Sequence, residues 1–342
     1  ASTVRGALSA TATTGNITQS GALAITGVTT IAADSGNNIT LSNTSNNFQA
    51  AVRITSGNNV TLVDAGAIDL GASTVSGTYA VTATAGGDIT DSGVLAITGT
   101  STFTVANGQS VILDESSTFA TVTFVASSGT IASVTINDSN ALDLGALTTT
   151  GNLTVTAGGD ITDSGTVSVA GNLAVTTDAN SGSIDLGDLE VNGTIALTTH
   201  NNGAATVVND AGLNFAASTV GGALSATATT GNITQSGALD IEGATTLVTT
   251  AQGATIVLGT ATNAFTGAVT ITTNDNDPVD GTYAADVTID GGTTQLRIAA
   301  STIDGDLTLR SGNASGIIDD GTVTVAGDLA ATTDASNGVI NL

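Results

Sequence analysis

Five oxygen-bearing side chains crowd one short stretch, TTNDNDPVDGTYAADVTIDGG at residues 272–292: Asn274, Asp275, Asp277, Asp280 and Asp286. A hard divalent cation such as calcium takes about six to eight oxygen ligands, mostly carboxylates and carbonyls. Asp275, Asp277 and Asp280 are therefore the candidate calcium ligands. The stretch lacks the D-x-D-x-D-G spacing and the following bidentate Glu of a calcium loop, so an inserted, solvated acidic loop is the reading it has to beat. His200, in TTHNNGAA, is the single His of a chain with no Cys. A metal or catalytic role needs partners it does not have, and a solvated loop position is expected. Asp88 and Asp91 in GGDITDSG recur as Asp160 and Asp163, while the same slots hold Asn16 and Gln19, then Asn232 and Gln235. A slot that accepts acid or amide suits a turn position bonded to backbone better than a catalytic carboxylate. Sugar-processing sites use aromatic platforms, and Tyr79 and Tyr283 are the only tyrosines in a chain without Trp. No Ser/His/Asp constellation is identifiable, so the expectation is a protein that is not an enzyme.

The elements that position these residues follow from composition. The chain has 342 residues, 2% aromatic, with no Met and a single Pro. A core must then be built from Val, Ile, Leu and Ala, with Thr beside them, which favours strands. Hydrophobic residues make up 40%, enough to fold despite a net charge of −25. Twenty-nine acids against four Arg and no Lys repel nucleic acid and anionic membranes, and neither is an expected partner. No apolar run reaches membrane-spanning length.

One phrase is written repeatedly: GNITQSGALAITG at 15–27, GDITDSGVLAITG at 87–99, GDITDSGTVSVAG at 159–171 and GNITQSGALDIEG at 231–243, each 72 residues after the last. A shortened GIIDDGTVTVAG ends at 327, displaced by 84, one period plus a twelve-residue insertion within 272–292. A shorter beat, G-x-(apolar)-x-(apolar)-T, recurs mostly every 20–24 residues with one longer step per module, so about fourteen units cover the chain, three to a module. Within the phrase, Leu23/Ile25, Leu95/Ile97, Val167/Val169, Leu239/Ile241 and Val323/Val325 are always aliphatic. The alternate positions vary freely and accept Asp240 and Glu242. One face is core and the other solvent. Short strands that cannot bury a face alone must stack on their copies. The expected fold is all-β: a right-handed β-solenoid of about fourteen coils, continuous over residues 1–342, roughly 65 Å long at ~4.8 Å per coil. Its opening and closing residues already belong to repeats, so both ends read as cuts within a longer array.

The stretch GNLTVTAGGDITDSGTVSVAGNLAVTT at 151–177, and its relatives along essentially the whole chain, resemble the filamentous-haemagglutinin-like repeats of large bacterial exoproteins. Those are surface adhesins of Gram-negative bacteria, commonly exported by two-partner secretion. The resemblance implies a right-handed β-helix, an extracellular or cell-surface location and a structural or adhesive role. The expected function is a stalk in an extracellular filament or surface adhesin, without catalysis. The alternative is a self-associating fibre or sheath subunit, with neighbouring repeats or further copies as partners. A carbohydrate-active β-helix enzyme and an ice-binding solenoid rank lower, the latter because the Thr-x-Thr segments shift in phase as coil length changes.

Overall fold

The computed structural model describes residues 1–178, 180–275, 284–335 and 337–342. The chain divides into two compact units, Ala1–Ala157 and Gly158–Leu342. The assigned elements are all strands, and the stacked ladders are parallel. Each unit is a β-solenoid.

The alternation read from the sequence sets the walls. In Leu224–Ala228 (LSATA), Leu224, Ala226 and Ala228 are buried while Ser225 and Thr227 reach the surface. Leu239 and Ile241 are 0% exposed, and Asp240 and Glu242 face solvent. Each buried aliphatic of this kind contributes roughly 1.5–3 kcal/mol of transfer free energy, offset by chain ordering. The glycine of the beat sits where coils touch at a corner. A Cβ on Gly243 would strike the backbone of Gly222, and one on Gly267 the backbone of Gly243.

Each coil has two sides. A side is filled either by one straight strand of four or five residues or by two short strands with a bend between them. In the first unit one side runs through Leu8–Ala12, Thr29–Ala33 and Val52–Ser56, then the pair Ile68–Leu70 and Ser73–Val75. The other side runs from Ile17 to Ile39, Val60, Tyr79 and Ser101. Coil length varies from 18 residues (Val52 over Leu70) to 24 (Asp240 over Ala264), with one of 31 (Ile256 over Val287).

This register corrects the sequence expectation of three coils per module. Ile17 passes through Ile39, Val60 and Tyr79 in three turns. Its sequence copy Ile89 lies half a turn further, on the opposite side, in the line Ile68–Ile89–Val111–Val134. In the second unit Ile161 leads through Ile184 and Ala205 to Leu224, and its copy Ile233 again lies on the other side. The 72-residue module is therefore three and a half turns, and successive copies occupy alternate sides. The turns number about 16, close to the fourteen expected from the sequence.

Candidate functional site

The recurring polar slots act at the coil corners. The backbone N–H of Asn38 donates to Asn16 Oδ1 at 2.9 Å, that of Asn59 to Asn38 Oδ1 at 3.2 Å, and that of Thr78 to Asn59 Oδ1 at 3.0 Å. Asp88, Asp160 and Asn232 accept in the same way from Ser110, Ser183 and Thr255 at 2.7–2.8 Å. Each side chain caps a backbone donor one coil on. Two N–H and O–H bonds from Ser183 hold the Asp160 carboxyl below its ordinary pKa.

The second slot is deeper and differs between copies. Gln19 and the fully buried Asn46 exchange two amide hydrogen bonds at 2.8 and 3.0 Å, and Asn46 Oδ1 also accepts from Leu23 N–H at 3.0 Å. Gln235 and Asn263 repeat this at 2.8 and 2.9 Å, with Leu239 N–H donating at 2.9 Å. In the second copy the corresponding residues are Asp91 and Ser117. Ser117 Oγ takes the Leu95 N–H at 2.9 Å, and Asp91 Oδ1 takes the Asp114 N–H at 3.0 Å. Asp91 Oδ2 is buried without a partner. Burial pushes the Asp91 carboxyl up to about 7, the neighbouring charges of Asp114 and Glu115 add to the rise, and the backbone donors of Glu115 and Asp114 offset part of it.

Asp277, Asp280 and Tyr283 lie outside the described residues. Asp275 Oδ1 accepts from Gln252 Nε2 at 2.5 Å and Oδ2 from Ala284 N–H at 2.8 Å. Asn274 Nδ2 donates to Thr250 O, and Asp286 Oδ1 takes the Asp306 N–H. No group of three or more His, Cys, Asp or Glu suited to hold a metal occurs among the described residues. Tyr79 is 0% exposed, so it offers no platform. His200 is exposed, and its Nδ1 donates to the Thr177 carbonyl at 2.7 Å, one coil back.

Sequence reasoning missed a cleft in the first unit. The wall of residues 79–83, 101–105 and 122–126 is laddered in register. The next short strands on that side, Leu142–Leu144 and Leu147–Thr149, form no ladder with residues 122–126. Contact resumes at both rims, where Ser117 pairs with Asp138 and Ile131 with Thr149. Between the rims lie two adjoining cavities of about 320 and 270 Å³ that share Val122 and Asp143. Phe124 occupies the central inward position of its strand yet is half-exposed, whereas Val81 and Phe103 at the same position are 0% exposed. Its ring stacks on Phe103 with centroids 6.2 Å apart.

One residue type distinguishes this junction from the others. Wherever else a straight strand meets a bent pair in this geometry, a buried serine takes the central N–H: Ser73 from Ile54 at 3.0 Å, Ser218 from Leu197 at 3.1 Å and Ser301 from Ile271 at 3.0 Å. Those serines sit in GASTV, AASTV and AASTI; the matching stretch at 145–149 reads GALTT. Leu147 replaces the hydroxyl with a larger apolar side chain, and the coils separate. Two signals in the sequence mark the place: that substitution, and four of the eight aromatic residues (Tyr79, Phe103, Phe119, Phe124) falling within one short span.

A family model of repeats of unknown function (DUF5649) matches residues 1–55, 57–126, 132–198 and 202–272, and the chain belongs to that family. No curated protein matches the chain. No solved structure matches it either.

Proposed function

We propose that this chain is a structural segment, without catalysis, of the stalk of an extracellular filament or bacterial surface adhesin. The observation that supports this reading is where the polar side chains go. Copy after copy, they cap the backbone of the next coil instead of converging on a common point. The likeness of residues 151–177 to filamentous-haemagglutinin-like repeats supports the location. Negative-stain electron microscopy of the purified chain tests the structural part: stiff, elongated particles are expected, and spherical ones count against it. Antibody labelling of intact cells that express the whole gene tests the location, and signal only after lysis sinks it. Calcium binding by Asp275, Asp277 and Asp280 is a separate proposal. Calorimetry of the wild type against the Asp277→Ala, Asp280→Ala double variant decides it, and an absence of heat ends it.

A second reading has its own observation. The outward positions stay in register over four successive straight strands in each unit, although Thr-x-Thr pairs stand there only at Thr102/Thr104 and Thr270/Thr272. Outward pairs Ala80/Thr82, Thr102/Thr104 and Thr123/Val125 lie in register in the first unit, continued by Thr61 and by Val63, which is buried. Thr206/Val208, Ser225/Thr227, Thr246/Val248 and Thr270/Thr272 do so in the second. These uncharged surfaces in a chain of net charge −25 favour lateral packing of like copies, the fibre or sheath reading. Sedimentation of wild type against Thr102→Arg, Thr246→Arg measures it: association in the wild type and not in the variant is expected. Thermal hysteresis in the same samples distinguishes an ice-ordering surface.

A further inference from the structure

We propose that the cleft between residues 119–124 and 138–147 binds a small organic cation, an ammonium or guanidinium group carried on a flat apolar body. Three independent features point there. First, the slit is pinned at both rims by the Ser117–Asp138 pairing and the Ile131–Thr149 bridge, so it admits a small molecule and leaves no open path for an added strand. Its cavities, about 320 and 270 Å³, fall at the lower end of ligand-pocket sizes. Second, the walls of the larger cavity are mostly apolar (Val122, Leu144, Leu147), with Asp143 at its edge, and Phe124 turns toward this space a ring that its own position in the strand would otherwise bury. Third, the smaller cavity is lined by Asp138, 1% exposed, whose Oδ1 accepts from Asn140 N–H at 3.0 Å and from Phe119 N–H at 3.5 Å while Oδ2 has no partner.

A buried carboxylate oxygen without a donor is costly, and a ligand that brings one removes the cost. A cationic donor does so best, because charge-assisted bonds are the stronger ones. The phenyl face of Phe124 attracts a cation as well as an apolar ring. The net charge of −25 draws cations toward the surface and repels anions.

The test uses the whole chain with phenethylamine as probe and phenethyl alcohol as its neutral counterpart, followed by proton NMR of the Phe124 ring and by calorimetry. The expected result is saturable binding of the amine, ~10-fold tighter than the alcohol. Asp138→Asn removes that preference and leaves the alcohol unaffected, while Phe124→Leu weakens both. Leu147→Ser, which restores the hydroxyl found at the other junctions, weakens both by closing the slit. Should Asp138→Asn fail to fold, the amine-against-alcohol comparison in the wild type and in Phe124→Leu still decides. Absence of saturable binding at about 10 mM amine overturns the proposal. So does equal affinity for amine and alcohol in the wild type.

Discussion

Residues 119–149 of the first unit and 256–303 of the second both depart from regular stacking, in opposite ways. The second-unit coil carries the extra residues, and its register offset reaches 31, yet its ladders hold: Ile256 pairs with Val287, Leu258 with Ile289, and Thr272 with Thr302. The first-unit segment keeps the 72-residue module length and loses its ladder. Length is therefore not what disturbs a solenoid. Extra chain leaving at a corner costs only loop-closure entropy, which grows slowly. A wrong side chain at a junction between a straight strand and a bent pair removes a hydrogen bond and overfills the core at once. Ser301 is present at the junction in the long-coil region, and Leu147 stands in its place in the other.

The largest effect expected from this contrast is at the two central inward positions. Ile271→Asp places an unpaired charge in a closed core, at 0% exposure, and should abolish cooperative unfolding of the second unit. Phe124→Asp, in the open cleft, should leave both units folded and cost several-fold less. Thermal circular dichroism with limited proteolysis reads both. Equal losses would show that residues 122–126 are as tightly covered as the rest.

Next in size is exchange of the junction residue itself. Ser218→Leu copies Leu147 into the second unit and should cost about 2 kcal/mol from the lost bond and overpacking. Leu147→Ser should stabilise the first unit by about 1 kcal/mol through the regained hydroxyl. Hydrogen exchange at Leu197 and Phe124 measures each locally: faster in the first variant, slower in the second.

A smaller, pH-dependent difference separates the corner copies. The Gln19–Asn46 and Gln235–Asn263 corners carry no titrating group, whereas Asp91 has its carboxyl raised to about 7 by burial. Burial also raises the Asp64 and Asp138 carboxyls. A carboxyl whose folded pKa lies above its unfolded value stabilises the fold fully below about 4, the unfolded value, and that contribution is lost as pH rises through the folded one. The midpoint of the first unit should therefore fall between about pH 4 and 7. Asp91→Asn should reduce this slope, leaving the part owed to Asp64 and Asp138, while the second unit stays unchanged. A slope of undiminished size assigns it to Asp64 or Asp138.

Much of this architecture is legible in the residues. The invariance of Leu23/Ile25 and its copies against the freedom of Asp240/Glu242 gives the inward and outward faces, and the Asn/Asp exchange at 16, 88, 160 and 232 gives the corner caps. The half turn was hidden. A copied phrase looks the same on either side of a coil, because both sides bury the same alternation. Only the pairing partners of Ile17 and Ile89 separate three turns from three and a half. The cleft was hidden for a related reason: Leu147 fits the apolar pattern, and its fault lies in a missing hydroxyl, which hydrophobic periodicity does not count.

The smallest effect should come from cutting away chain in the long coil. Asp275 Oδ2 accepts the Ala284 N–H at 2.8 Å, so the two flanks of residues 276–283 already touch. Joining them directly shortens the chain between two points that the surrounding ladder holds together. The entropic change for such a shortening is under about 1 kcal/mol and favours the shorter loop. The pairings Val269 with Ile298 and Val287 with Leu307 lie outside the excision and should persist. Deletion of 276–283 is therefore expected to leave the unfolding midpoint of the second unit within a few degrees of wild type. It also removes Asp277 and Asp280, so a calcium-induced rise in midpoint seen in the wild type and missing in the deletion would assign calcium to this stretch. A deletion that unfolds the second unit without calcium present would instead show that the extra residues support the ladder, and the contrast with residues 119–149 would lose its basis.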